Sequence, residues 1–235
     1  MARSGRVDIK RAFEPEFDRV LAHGRCVGVR LPASDEAVRG LAIAILRPEE
    51  VRIAEAFPPL RRVTWVGGRV ALRLALGRAG IEAPLLISSD DRGAPVLPPG
   101  IAGSITHKEH IAAALVAREA NACIGVDLEP DVVRSQDIAD RVLTDGERAQ
   151  LAGLDAAARG REVLLRFSAK EAIYKALDPF VRRYVGFQEV SVSPREDGTC
   201  AVTWALRSGE GPFAIDVRWM RQGGIVLTTA RVLRA

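Results

Sequence analysis

The sequence predicts an α+β protein whose sheets are largely antiparallel. Apolar residues recur at helical spacing in the first half of the chain and again near residues 161–177. The segment after residue 186 instead consists of alternating or β-branched runs separated by turn residues, which is typical of antiparallel strands. With 235 residues, of which 48% are apolar, the chain is long enough for one large or two small compact domains.

In the first half, a strand is predicted at residues 26–31, and a helix begins at Pro48, where proline and two acids occupy the first turn. A second helix is predicted from about Arg61 to Ala79, because Gly80 is a residue that commonly ends helices. Short strands follow near residues 85–88, 102–106 and 111–117.

The second half begins with a strand at residues 123–129. Thr144 and Glu147 match a capping box, which predicts a helix start. A longer helix is expected from about Arg161 to Leu177, stopped near Pro179. Four strands follow near residues 187–193, 199–206, 213–221 and 225–232.

A charged Arg118-Glu119 pair joins the two halves, and we predict a domain seam there, between residues 1–118 and 119–235. The longest apolar run, residues 111–117, is far shorter than the ~20 residues of a membrane-spanning helix, and the N-terminus is charged. We therefore expect a cytoplasmic protein without membrane contact. The three cysteines form no CxxC pair, which argues against a disulfide framework and a zinc site.

The net charge of +4 is carried mainly by arginine, since only four of the 34 basic residues are lysines. Such a balance suits anionic partners, namely phosphates, nucleic acid or an acidic protein, but does not distinguish among them. Two of the lysines, Lys170 and Lys175, lie in one short stretch, which favours a specific role for them.

Two carboxylates lie on one face of the strand predicted at residues 123–129. Because side chains alternate along a strand, Gly125, Asp127 and Glu129 point the same way. Like charges repel unless a cation lies between them or the face is wet, and oxygen ligands of this kind suit Mg²⁺. A solvated strand face explains a lone Asp-x-Glu better. Gly125 favours a site, because a position without a side chain lets a ligand approach the backbone.

Residues 167–175, FSAKEAIYK, are helical in composition, and Glu171 and Lys175 share one helix face. This pair is explained either by a surface salt bridge or by a functional site. In a site, a third carboxylate would complete a metal centre, and the ammonium groups would neutralise a diphosphate.

Together these two segments carry a resemblance to a known family. GVDLE at residues 125–129, followed by FSAKEAIYK at residues 167–175, resembles the paired signature of 4′-phosphopantetheinyl transferases, G-x-D-x-E and [WF]-[ST]-x-K-E-[AS]-x-x-K. Each half is common by chance, whereas both in this order and at this separation are specific.

The first half of the chain agrees with this resemblance. GSITH at residues 103–107 is similar to the family element G-S-[IVM]-[ST]-H, and RGAP at residues 92–95 resembles a shorter element, [KR]-G-x-P. Residues 61–69, RRVTWVGGR, resemble the helix R-x-x-E-[FH]-x-x-G-R, although Thr64 stands where an acid is usual. Whether the first basic contact belongs to Arg61 or Arg62 is open.

The resemblance implies an enzyme that transfers 4′-phosphopantetheine from coenzyme A to a serine of an apo carrier protein, acyl or peptidyl, and releases 3′,5′-ADP. The arrangement is most similar to the long, pseudo-dimeric members of the enterobactin type. That implies two similar α+β halves with the active site in the cleft between them, and a monomer that needs no nucleic acid. The first half would supply coenzyme A phosphate contacts, and the second the metal-binding carboxylates and the catalytic helix.

The resemblance also implies roles for individual residues. Mg²⁺, or alternatively Mn²⁺, would be held by Asp127, Glu129 and Glu171. Glu171 and Lys175 would be catalytic, with Glu171 as the base either directly or through a metal-bound water. Coenzyme A would be bound by Arg61, Arg69, Arg92, Ser104, His107, Asp127, Lys170 and Lys175.

Two other functions are consistent with the same kinds of residues. One is an Mg²⁺-dependent nuclease, which leaves GSITH and the arginine helix unexplained; the other is a coenzyme A or carrier-protein binding module without catalysis. For the carrier, arginines at seven-residue spacing after the acidic strand form a candidate docking face if the segment is helical, and solvated surface charges explain them equally well. These arginines are Arg134, Arg141 and Arg148.

Overall fold

The structure is a computed structural model that describes residues 13–35, 38, 46–84, 86–132 and 138–235. It confirms the α+β prediction. The chain divides into two compact units, which consist of Met1–Pro98 with Ile105–Val116 and of Pro99–Ser104 with Ala117–Ala235. The pseudo-dimeric arrangement remains a prediction. Among the described helices, none has the length and apolar character needed to span a membrane.

Within its described residues, the first unit contains an antiparallel sheet and two helices. The helices are α1 Pro48–Glu55 and α2 Pro59–Arg78. The strands are β1 Pro15–Leu21, β2 Gly24–Arg30, β3 Ile101–Lys108 and β4 Ile111–Arg118, and they lie in the order β1-β2-β4-β3 across the sheet. The helix predicted to end near Gly80 does so, and Gly80 adopts a φ of 65°. The unit boundary passes through β3, between Ser104 and Ile105.

The strand predicted at residues 85–88 is wrong for residues 86–88, while Leu85 lies outside the described residues. The backbone groups of Ile87 are bound by side chains instead of by a neighbouring strand. Its amide donates to Glu50 Oε1 at 3.0 Å, and its carbonyl accepts from Arg69 Nε at 3.1 Å. The nearby chain makes only an isolated bridge between Ser89 and Pro95.

Residues 138–235 and the other described parts of the second unit form one long helix, two short helices and two antiparallel sheets, in the strand orders β5-β9-β8 and β6-β7. Its elements have these bounds: β5 Ala122–Pro130, α3 Ala139–Val142, α4 Asp145–Gln150, α5 Ala156–Val181, a 3₁₀ turn Phe187–Glu189, β6 Val190–Pro194, β7 Cys200–Trp204, β8 Phe213–Gln222 and β9 Ile225–Arg234. The predicted capping box at α4 is confirmed, with Thr144 and Glu147 each accepting the other's amide.

Three predictions in this unit need correction, namely both ends of the long helix and the start of the strand after it. Helix α5 begins earlier because Asp155 caps it by accepting from Ala158 N at 2.8 Å. It also continues past Pro179, since the proline removes only its own N–H and Arg182 N still donates to Asp178 O at 2.8 Å. Residues 187–189 form a 3₁₀ turn instead of a strand.

Helix α5 lies directly against the backbone of strand β5 at Gly125. A Cβ atom at this position would lie 1.9 Å from the carbonyl oxygen of Ala172 in α5. The sequence interpretation, that a ligand approaches the backbone here, is therefore corrected, because the helix itself occupies this space. The contact holds the face of α5 that carries Glu171 and Lys175 against the strand that carries the acids.

We predict that Gly125→Ala lowers the free energy of unfolding by about 3 kcal/mol or more, at the upper end of the usual range for overpacking, because the obstacle is backbone. Urea denaturation followed by circular dichroism measures this change. The matched control is Gly146→Ala in α4, where an added Cβ meets nothing within 4 Å and stability should stay equal or rise by up to about 1 kcal/mol. Equal stabilities of the two variants would contradict the prediction.

Candidate active site

The candidate site consists of acids that β5 and α5 bring together. Asp127 and Glu129 in β5 are only 6% and 3% exposed, so the alternative of a solvated strand face is excluded. Glu171 in α5 has a raised pKa, first because it is partly buried and then because the negative charge of Asp127, with a further contribution from Glu129, disfavours its ionisation. The three carboxylates are therefore close enough to interact.

Both carboxylate oxygens of Asp127 accept hydrogen bonds from α5. Lys175 Nζ donates to Oδ1 at 3.0 Å and also to the carbonyl of Val126 at 2.8 Å. Ser168 Oγ donates to Oδ2 at 2.8 Å. Lys175 is thus an ion-pair partner of Asp127, which places one ammonium group directly beside the acids.

The acids of this site suit Mg²⁺ only together with further ligands from outside the chain. No three His, Cys, Asp or Glu side chains in the described part of the chain are arranged tightly enough to hold a metal ion by themselves. Mg²⁺ does not require such a cage, because it commonly uses one or two carboxylates and completes its shell with water and substrate phosphates. Two buried acids beside a third, Glu171, fit that mode. The full three-carboxylate ligand set stays a prediction.

Lys170 occupies a different environment from Glu171, its neighbour in sequence. It is 3% exposed, and its Nζ lies 2.6 Å from Glu147 Oε2, 2.7 Å from Val142 O and 2.9 Å from Phe187 O. An ammonium group has three N–H donors, and these contacts use all of them. The geometry therefore argues against the predicted phosphate contact and for a structural role of Lys170.

The arginines at the start of α2 differ in the same way. Arg62 is buried, pairs with Asp35 and donates to the carbonyls of Ala54 at 3.0 Å and Phe57 at 2.8 Å. Arg61 is exposed instead, and its Nη1 lies 3.2 Å from His107 Nε2. Because a guanidinium only donates, this contact assigns the ring proton of the histidine to Nδ1. The geometry favours Arg61 over Arg62 as the phosphate ligand.

Of the remaining predicted residues of the first unit, Arg69 is buried and Arg92 is exposed. Arg69 lies 4.6 Å from the ring centre of Trp65 and donates to Ser89 Oγ at 2.6 Å, and burial lowers the pKa of its guanidinium to about 10. Arg92 stands in a tight turn whose amides are capped by Asp90. Both phosphate contacts stay predictions.

Ser104 belongs to the second unit, where it is 5% exposed and its Oγ accepts from the amide of Val126 at 3.1 Å. This contact uses a lone pair and not the hydroxyl proton. It fixes the end of the segment Pro99–Ser104 beside strand β5, which carries Asp127 and Glu129. A phosphate contact of Ser104 stays a prediction.

The arginines proposed to form a docking face after the acidic strand do not lie on a single helix. Arg141 lies in α3 and Arg148 in α4, and the chain is extended at Leu143 and Thr144 between them. The helical spacing argument therefore fails, since it needs one continuous helix. Arg134 lies outside the described residues.

Sequence reasoning missed the residues that hold the site in place. Ser168, Thr228 and Glu147 are each at most 1% exposed, and all three bind residues of the candidate site or its flanks. Pattern signals existed for Glu147, through its capping box, and for Ser168, which occupies the [ST] position of the signature at residues 167–175. Thr228 lies in β9 opposite Asp127, a pairing that depends on strand register across the sheet.

Comparisons with known proteins identify relatives of this chain. Two family models match the chain: the 4′-phosphopantetheinyl transferase N-terminal domain over residues 48–117 and the 4′-phosphopantetheinyl transferase superfamily over residues 123–229. The 4′-phosphopantetheinyl transferase Npt of Nocardia iowensis is 35% identical over 194 residues, which cover 77% of this chain and 86% of that protein.

Two further relatives show the same pattern. The 4′-phosphopantetheinyl transferase Svp of Streptomyces mobaraensis is 35% identical over 200 residues, covering 81% of this chain and 80% of that protein. Enterobactin synthase component D of Salmonella typhi is 32% identical over 173 residues, which cover 72% of this chain and 70% of that protein. The chain therefore belongs to the 4′-phosphopantetheinyl transferase superfamily. Within it, the chain is of the long type, and the predicted enzyme class is confirmed.

We predict that Lys170→Met lowers the free energy of unfolding by about 3–5 kcal/mol, because it leaves the carboxylate of Glu147 buried without its partner. Denaturant unfolding of the purified variant gives the value. The control is Arg148→Met, which breaks the ion pair with the exposed Asp145 and should cost at most about 1 kcal/mol. A cost for Lys170→Met as small as the control's would restore a surface role for this lysine.

Proposed function

We propose that this enzyme transfers the 4′-phosphopantetheine group of coenzyme A to a serine of an apo acyl or peptidyl carrier protein and releases 3′,5′-ADP, with Mg²⁺ as its metal. The observation that carries the proposal is the buried pair Asp127 and Glu129 beside Glu171. These acids lie within the segment that matches the superfamily model.

Asp127, Glu129 and Glu171 would hold Mg²⁺, for which Mn²⁺ can substitute. When bound, the ion would neutralise the diphosphate of coenzyme A and stabilise the charge that develops as it is cleaved. Carboxylate oxygens are the ligands that such a hard cation prefers.

The chain's own residues bind the substrate and move the proton. In the proposed reaction the carrier serine oxygen forms a bond to the β-phosphorus, the bond from that phosphorus to the oxygen of 3′,5′-ADP breaks, and the serine proton passes to Glu171. We propose Glu171 for this role, either directly or through a water molecule, because it is the acid that α5 places beside Asp127 and Glu129. Lys175, held beside Asp127, would orient a phosphate oxygen.

Contacts to the remaining coenzyme A phosphates are proposed for residues of the first half, residues 1–118. Arg61 and His107 are exposed and adjacent, as a phosphate ligand requires. Arg69, Arg92 and Ser104 are kept as further candidates, and Lys170 is left out of the set. We further propose a cytoplasmic monomer, because one chain supplies both the acids and the proposed phosphate ligands.

The proposal is tested by incubating the protein with coenzyme A, Mg²⁺ and a panel of apo carrier proteins, followed by mass spectrometry. We expect one carrier or more to gain the mass of a single phosphopantetheine, and we expect no gain when Mg²⁺ is chelated. Binding of coenzyme A without transfer to any carrier would favour the non-catalytic module. Cleavage of added nucleic acid without transfer would favour a nuclease.

In the same assay, Asp127→Asn and Glu171→Gln should each lower the transfer rate by about 100-fold or more, because each removes a charged oxygen donor from the metal site while keeping the side-chain shape. The control is Glu162→Gln on the same helix, which alters a partly exposed ion pair with Arg166 and should leave the rate within about twofold, as expected for such a pair. Near-normal turnover of either site variant at saturating Mg²⁺ would refute the assignment.

We predict that Arg61→Ala raises the KM for coenzyme A by about 10- to 100-fold, since a hydrogen bond from a charged donor is worth about 1.5–3 kcal/mol. The KM for 3′-dephospho-coenzyme A should change much less, because the proposed acceptor is the 3′-phosphate. Arg62→Ala is the matched control and should lower stability without this selectivity. An equal rise in KM for both substrates would transfer the role to another residue.

A further inference from the structure

Three elements meet around the carboxylate of Asp127. Ser168 of α5 places its Oγ 2.8 Å from Asp127 Oδ2 and 2.9 Å from Thr228 Oγ1, and the hydroxyl of Thr228 donates to the backbone carbonyl of Ser168 at 2.9 Å. Thr228 of β9 lies directly opposite Asp127 of β5 in the antiparallel register. Ser168 and Thr228 are completely buried, so water does not compete for these contacts.

The directions of these hydrogen bonds follow from a count of protons. Each hydroxyl has one proton to donate, and the two hydroxyls share three contacts. A charged acceptor forms the stronger bond, so the proton of Ser168 points to Asp127. The single proton of Thr228 is then shared between two acceptors of Ser168, its backbone carbonyl oxygen and its Oγ, which both lie 2.9 Å from Thr228 Oγ1. Thr228 therefore fixes the position of Ser168, and Ser168 in turn fixes the carboxylate of Asp127.

The other oxygen of Asp127 is fixed from the same helix. Lys175 lies two turns after Ser168, and it donates to Asp127 Oδ1 at 3.0 Å. Donors to both oxygens leave the carboxylate group little freedom to rotate. A carboxylate that is already oriented binds a cation without the entropy cost of ordering it.

We propose that Ser168 is a positioning residue for the transfer reaction and that Thr228 supports it. Together they fix the plane of the Asp127 carboxylate so that its remaining lone pairs face the cation site. The inference rests on the proposed function of Asp127 as a metal ligand. It assigns a role to two hydroxyl groups that would touch neither substrate nor metal.

The test compares Ser168→Ala, Ser168→Thr and Thr228→Val with wild type in two measurements. Binding of Mn²⁺ is followed directly through the loss of the electron paramagnetic resonance signal of the free ion, and kcat and KM for the carrier are measured separately. Residues that orient a metal ligand typically contribute about 10- to 100-fold to metal affinity or activity. We expect losses of about that size for Ser168→Ala in Mn²⁺ affinity and in kcat, with the carrier KM unchanged.

Ser168→Thr keeps the hydroxyl and should recover most of both values, and Thr228→Val should show a smaller loss than Ser168→Ala. The matched control is Ser191→Ala, which removes another short hydroxyl contact, 2.8 Å to Thr144 Oγ1, elsewhere in the same unit. It should leave Mn²⁺ affinity and kcat unchanged. If Ser168→Ala does not fold, Thr228→Val decides the question by the same two measurements.

The outcomes separate this inference from the proposed function. If wild type transfers phosphopantetheine and Ser168→Ala loses less than about twofold, against the larger loss typical of such residues, the positioning role is overturned and the proposed function stands. If wild type does not transfer, the proposed function fails, and equal Mn²⁺ binding by wild type and Ser168→Ala then overturns the inference as well. Losses in Ser191→Ala as large as in Ser168→Ala would also overturn it.

Discussion

Direct backbone contact between α5 and β5 at Gly125 is the constraint on which the candidate site depends. The helix comes this close because it presents small residues to the strand, among them the fully buried Ala172 and Ala176. Only at this separation can the short side chain of Ser168 and the amine of Lys175 both reach Asp127. Packing of small residues therefore sets the geometry of the charged groups, and the hydrogen bonds then refine it.

Two carboxylates of the second unit, the buried Glu147 and the partly buried Glu171, lie in opposite kinds of environment. Glu147 is matched completely, since it accepts from Lys170, from the amide of Thr144 and from the amide of Val192 at 2.7 Å. Glu171 is not matched in this way, and burial together with two neighbouring acids raises its pKa. Burying a charge costs stability unless it is compensated. A carboxylate left under-compensated in a folded protein is suited to bind a cation or a proton.

Local patterns predicted most of the fold, because alternation, helical spacing and the Thr144 cap are properties of neighbouring residues. The acidic strand and the helix with Glu171 were predicted for the same reason. The environments of Lys170 and Arg62 could not be predicted, since their partners lie in other segments and nothing in a periodic pattern tells which cation turns inward. The prediction of a strand before Ser89 was wrong for a similar reason, because side chains from α1 and α2 form hydrogen bonds with the backbone groups of Ile87.

The adjacent pair Lys170 and Glu171 has a consequence for how this chain tolerates variation. Lys170 binds three segments of the interior, whereas Glu171 lies beside Asp127 and Glu129. One helical turn therefore contributes to the stability of the fold and to the candidate site at the same time. A mutational screen scored by product alone would record the same loss at both positions. Scoring cellular protein abundance beside product would separate them, because a destabilised enzyme disappears, whereas an inactive but folded one accumulates.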